Sequence, residues 1–175
     1  FYYAMEHIDG LSREAVVELG EPLPAARVVH FLVQAAEALA EAHGLGLVHR
    51  DVKPQNILVC DRGGVPDVVK VLDFGLVKDF ATPGDAALTA ASVVAGTPLY
   101  LAPEAITSPG SVDPRTALYA LGAVGYFLLC GELVFEGGSI LEICGHHLHT
   151  APKRPSERLG SPVDGNLEDL LLRCR

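Results

Sequence analysis

Residues 49–56 read His49-Arg50-Asp51-Val52-Lys53-Pro54-Gln55-Asn56, and Asp73-Phe74-Gly75 follows a short way along the chain. A carboxylate such as Asp51 can take the proton of a hydroxyl, and Lys53 can neutralise a phosphate. The oxygens of Asn56 and Asp73 are hard ligands of the kind Mg²⁺ prefers. Together these are the parts that phosphoryl transfer from ATP to a hydroxyl requires. Taken singly, each residue reads as a solvated charge or a capping amide. Their order and spacing carry the chemical reading.

Several elements must position this stretch. Residues 24–44 place Val28, Val29, Leu32, Val33, Ala36, Leu39 and Ala40 at helical spacing, and Gly44 and Gly46 end the helix. The apolar pieces 57–59 and 69–72 flank Asp61-Arg62-Gly63-Gly64 and predict two short strands around a loop. Residues 1–6 predict a further strand, ending at Asp9-Gly10. Residues 82–97 are small and polar without a period and predict an exposed loop. Residues 114–131 form the most apolar segment and predict a helix buried on most faces. A helix over 136–150, irregular chain over 151–165 and a last helix from residue 166 complete the pattern. The fold class expected is α+β, mainly α-helical.

Composition narrows the function classes. The chain has 175 residues, 49% of them hydrophobic, enough for one packed domain. Its net charge of −9, with Lys and Arg scattered, argues against a nucleic-acid partner. Cys60, Cys130, Cys144 and Cys174 form no CxxC pair and predict free thiols in a reducing, cytoplasmic setting, with or without an anchor in the parent protein. The longest apolar run, residues 117–130, is shorter than the roughly 20 residues of a membrane span, so no membrane segment is expected in this fragment. His146, His147 and His149 cluster on one segment but lack a second ligand set, and a surface helix is the expectation there.

With Ala102-Pro103-Glu104 closing the segment, the chain resembles the eukaryotic-type (Hanks-type) Ser/Thr protein kinases, in their bacterial branch. The resemblance implies a kinase-like fold represented by its C-terminal lobe only, beginning at the hinge, with the N-lobe sheet absent. Residues 1–175 are then a partial catalytic domain, truncated at both ends, with an activation segment over 73–104. It assigns catalysis to Asp51, Lys53, Arg50 and Thr97. Asp51 would aim the substrate hydroxyl, Lys53 would reach the transferring phosphate, and Arg50 would meet a phosphorylated loop. Thr97, in Gly96-Thr97-Pro98, would bond the Asp and Lys. Asn56 and Asp73 would hold Mg²⁺ on ATP. Glu6 and Ile8 would present backbone to the adenine, next to Met5, with Leu58 packing under the ring. Thr89 and Ser92 fall where bacterial members autophosphorylate. His49 and Phe74 would stack in the core. The implied partner is a protein carrying Ser or Thr.

Three departures qualify the resemblance. No Gly-rich loop, strand lysine or helix glutamate is present to clamp the nucleotide. The fragment alone is therefore expected to be inactive until an N-lobe of the same protein is supplied. Ala117 stands where the family usually carries an Asp that accepts backbone bonds from the catalytic loop. Glu104 should lack the later Arg that normally pairs with it. These motivate an alternative, a pseudokinase or binding module acting through protein interaction. A small-molecule phosphotransferase is a third reading, disfavoured by the Gly96-Thr97-Pro98 and Ala102-Pro103-Glu104 elements.

Overall fold

The computed structural model describes the strand Gly10–Ser12 and residues 22–74, 98–108 and 113–174. Six α-helices and one three-stranded sheet are found among them: β1 (Gly10–Ser12), α1 (Ala25–Gly44), β2 (Ile57–Arg62), β3 (Val65–Val71), α2 (Pro103–Thr107), α3 (Pro114–Cys130), α4 (Ile140–His149), α5 (Pro155–Leu159) and α6 (Gly165–Arg173). The mainly helical expectation holds. Expectations for residues 1–9 and 82–97 lie outside the described residues.

Helix α3 is the centre of the core. Apolar residues run almost without a break along it, so every face seeks cover, and thirteen of its seventeen residues are buried. Asp113 caps its start, the carboxylate accepting from Arg115 N at 2.7 Å, and Gly131 ends it at φ 72°. Two glycines let neighbours come close. A Cβ on Gly125 would sit 2.8 Å from Leu32 of α1 and 2.7 Å from Leu171 of α6, and one on Gly122 would sit 2.6 Å from Cys174 Cβ. Helix α1 buries Val28, Phe31, Ala35, Leu39 and Ala42. The expected stripe is therefore turned: Val29 and Val33 are 40% and 50% exposed, and Ala40 is exposed too. Leu32 and Ala36 lie at the edge of the buried face. A helix with small apolar residues on two sides has two candidate faces, and the fit of Phe31 into the core selects one.

The predicted strand pair is a β-hairpin turning at Gly63-Gly64, whose φ of 58° and 81° suits a residue without Cβ. Leu58 pairs with Lys70 and Val59 with Val69, and β1 adds antiparallel to β2 with Leu11 opposite Val59. Strand β3 lies at one edge of this sheet among the described residues, and α1 packs against it. Gln34 Nε2 donates to Asp67 O at 3.0 Å, and Val69 N donates to Gln34 Oε1 at 3.0 Å, so one side-chain amide stands in for a neighbouring strand. Arg27 adds a forked pair with the Asp67 carboxylate at 3.0 and 2.7 Å.

Other expectations need correction. Helix α4 starts at Ile140, not at residue 136, because Ser139 caps it (Glu142 N to Ser139 Oγ, 3.2 Å) while Glu142 reaches back to Gly138 N at 2.8 Å. Residues 151–165 are not wholly irregular, since Pro155 opens the short α5 and Gly160 closes it at φ 64°. His147 does not lie on a surface: it is 4% exposed and its Nδ1 is 2.6 Å from the Tyr119 hydroxyl, edge-on to Phe135. No cluster of metal-ligating side chains occurs among the described residues. Nor is any described helix long and apolar enough to cross a membrane. All four cysteines are free, three buried and Cys174 half-buried. Burial pushes the Cys130 thiol up to about 11 and raises those of Cys144 and Cys174.

Replacing Gln34 with Leu should strand the Val69 N–H and Asp67 C=O at the β3 edge. The expected loss is about 1–3 kcal/mol, read as a fall in the thermal midpoint of roughly 2–4 °C per kcal/mol.

Candidate active site

The catalytic stretch leaves α1 and enters β2 with alternate residues plugged into the core. Val52 and Pro54 are buried, while Asp51 and Lys53 between them stay half-buried. Pro54, Gln55 and Asn56 form a single 3-10 turn. Upstream, Asp51 N donates to His49 O at 2.8 Å, closing a three-residue turn with Arg50 at its centre at φ 60°. A non-glycine residue in that region costs about 1–3 kcal/mol and persists only where its surroundings fix it.

His49 supplies that fixing. The ring is 1% exposed. Its Nε2 donates to Leu72 O at 2.7 Å, and Asp51 N lies 3.3 Å from its Nδ1. This assigns the neutral tautomer with the proton on Nε2 and an acceptor on Nδ1. Burial lowers its pKa, against the smaller opposing pull of the Leu72 carbonyl and of Asp51. Phe74 packs on the same ring at 4.8 Å between centroids, as expected. Leu72 N in turn donates to Asn56 O at 2.8 Å. Leu72 is thereby tied at both ends to the catalytic stretch. Asp73 emerges next to it, exposed, at φ 58°.

Asp51 Oδ2 receives Lys53 Nζ at 2.8 Å and Asn56 Nδ2 at 3.2 Å, and Asn56 Nδ2 also reaches Asp51 O at 2.8 Å. Two neighbours on one carboxylate oxygen fix its rotation. Because Asn56 spends its NH₂ on Asp51, its amide is oriented with the oxygen at the other end. That oxygen and the exposed Asp73 carboxylate are hard donors that fit Mg²⁺, which takes one or two protein oxygens and completes its shell with water and phosphate. Leu58 is half-buried on β2 near the same end of the sheet.

The structure thus brings together Asp51, Lys53 and Asn56 and tethers Asp73 to them through Leu72. Arg50 lies on the same turn, exposed. Glu6, Ile8, Met5, Gly75, Thr89, Ser92, Gly96 and Thr97 lie outside the described residues. Ala117, 2% exposed, faces a cavity of about 20 Å³ beneath the turn. Glu104 has a partner that the sequence reading did not name: its Oε1 accepts from the Thr116 hydroxyl at 3.0 Å. Sequence reasoning missed that bond. A hydroxyl one residue before Ala117 was the available signal.

With this geometry in place, comparison with known proteins is specific. Residues 1–174 match the protein kinase domain family, and the chain belongs to it. It is 40% identical over 175 residues to the serine/threonine-protein kinase pkn3 of Myxococcus xanthus, covering 99% of this chain and 32% of that protein. Its identity to Pkn1 of the same organism is 42% over 176 residues, covering 99% and 24%. To PknL of Mycobacterium tuberculosis it is 42% over 156 residues, covering 89% and 37%. The chain therefore spans about a quarter to a third of the length of these curated relatives.

A neutral buried imidazole predicts a pH dependence. The folded-state pKa of His49 lies below its unfolded value of about 6.5. The unfolded chain therefore binds more protons below that pH. The stabilisation is present above pH 6.5 and is lost as pH falls below it. Lowering the pH from about 7.5 to 5.5 should reduce the midpoint of denaturant unfolding, and His49→Gln should flatten that slope while lowering stability throughout.

Proposed function

We propose that this chain is the C-terminal lobe of an ATP-dependent protein serine/threonine kinase. In that reading it transfers the γ-phosphate to Ser or Thr hydroxyls of a protein substrate. The observation that carries the reading is the shared Asp51 Oδ2, held at once by Lys53 and Asn56. A carboxylate so oriented is suited to align a substrate hydroxyl and take its proton. Lys53 stands 2.8 Å from it, where a transferred phosphate would also meet its charge. Asn56 and Asp73 are assigned to Mg²⁺, which when bound would neutralise charge on the nucleotide phosphates. Arg50 is assigned to a phosphorylated loop, Thr97 to bonding Asp51 and Lys53, and Glu6, Ile8 and Leu58 to the adenine. The remaining phosphate contacts are assigned to an N-lobe of the same protein. The pkn3, Pkn1 and PknL names support the choice of serine/threonine chemistry.

A second reading, nucleotide or partner binding without turnover, is favoured by one observation. Beneath the catalytic turn, Ala117 and Ala120 line a cavity of about 20 Å³ where a larger side chain could stand.

The test uses the parent protein that contains this chain, with radiolabelled ATP and a Ser/Thr-bearing protein. Asp51→Asn should lower the transfer rate by about 100-fold or more. Asn56→Ala should raise the Mg²⁺ concentration needed for half-maximal rate. An unchanged rate in Asp51→Asn would overturn the assignment. Nucleotide binding with no transfer in the unaltered protein would favour the second reading.

A further inference from the structure

Strand β3 delivers Asp73 to the site, and whatever holds the strand in register decides where that carboxylate stands. On one side β3 pairs with β2, in a ladder interrupted between Cys60 and Arg62. On the other side it meets α1. Gln34 Nε2 donates to Asp67 O and Gln34 Oε1 accepts from Val69 N, both at 3.0 Å. Residues two apart share one edge of a strand, so the amide takes the two groups that a neighbouring strand would take. Its orientation is fixed. A flipped amide would set carbonyl against carbonyl at Asp67 and N–H against N–H at Val69. The second N–H of the same Nε2 meets His30 Nε2 at 2.9 Å. Arg27, about two turns earlier on α1, holds the Asp67 carboxylate at 3.0 and 2.7 Å, where the backbone stands at φ 58°. Phe31 and Ala35, buried on either side of Gln34 in the sequence, seat this part of α1 in the core. From the amide to the site the path is short. Val69 lies just before Leu72, whose N–H goes to Asn56 O and whose carbonyl goes to His49, and Asp73 follows.

We propose that Gln34 is a positioning residue for metal binding: it pins β3 in register from outside the sheet and so sets where the Asp73 carboxylate stands relative to Asn56. This role rests on the assignment of Asn56 and Asp73 to Mg²⁺ made above. Fraying of β3 that starts at Val69 loosens Leu72 and carries Asp73 with it. The bonds of Asp51 with Lys53 and Asn56 lie within the catalytic stretch and stay in place. Losing the amide therefore weakens the hold on the metal and leaves the alignment of Asp51 intact.

The experiment uses the parent protein that contains this chain, with Gln34→Leu, Gln34→Glu and Ala35→Gly. The first readout is amide exchange over residues 65–74 by mass spectrometry. The second is the Kd of Mn²⁺ in the presence of saturating ADP, from the paramagnetic resonance of the free ion. The third is the transfer rate at saturating metal. Gln34→Leu should speed the exchange and raise the Mn²⁺ Kd, each by about fivefold, the factor that one net hydrogen bond corresponds to. Its transfer rate at saturating metal should stay within about twofold of the unaltered protein. Gln34→Glu keeps an acceptor for Val69 N but, ionised, has no donor for Asp67 O, so it should fall between; it also carries the test if the leucine variant misfolds. Ala35→Gly loosens the same helix at the next, buried position and leaves the amide in place. It should lower the thermal midpoint without changing the Mn²⁺ Kd. An unchanged Kd in both Gln34 variants would overturn the proposal, as would an equal rise in Ala35→Gly, which would make the amide a stabiliser of the fold and no more. The metal readout needs no turnover. Tight Mn²⁺ binding without transfer in the unaltered protein would therefore count against the kinase reading alone.

Discussion

One hydrogen bond, 2.7 Å from the His49 ring to the Leu72 carbonyl, joins the two stretches that hold the polar residues of the site. Beside the bond from Leu72 N to Asn56 O, it ties together Asp51 and Asp73, which lie on either side of a hairpin. With it, the ring also takes Phe74 on its face and places an acceptor near Asp51 N. The imidazole can do all three only when neutral, the form that its burial favours. The hairpin's own placement depends on α1, whose Gln34 holds β3 by its backbone. Helix α1 depends in turn on α3. The site is thus at the end of a chain of supports that starts in the apolar core.

The chemistry was legible in the sequence because its residues are close along the chain. Asp51, Lys53 and Asn56 span two turns, so their meeting at one oxygen needs little help from the rest of the fold. The strands around Gly63-Gly64 and the buried α3 were legible for a similar reason, an apolar run with clear ends. Errors arose where a neighbour decides. Val29 and Val33 were as apolar as Phe31 and Ala35, and only packing on α3 chose between them. Nothing local shows that Tyr119, far along the chain, offers His147 a hydroxyl and holds it inside. Nor does anything local show that the Thr116 hydroxyl reaches Glu104. The start of α4 was recoverable: Ser139 and Glu142 have the spacing of a reciprocal cap.

Helix α3 meets its surroundings in two opposite ways. At Gly122 and Gly125 there is no room for one further carbon. At Ala117, nearer the start of the helix, there is a cavity. The tight end locks α1 and α6 in register against the core. The loosely packed end lies under residues 50–53.

The buried thiols carry a consequence of another kind. A thiol reacts through its thiolate and only when a reagent can reach it. Cys130, pushed up to about 11 on the central helix, fails on both counts while the chain is folded. Cys60 lies in the hairpin, Cys144 on α4 and Cys174 at the end of α6. The chain therefore carries four native reporters spread over separate elements. For the three buried ones, the order of alkylation is a record of the order in which the fold comes apart.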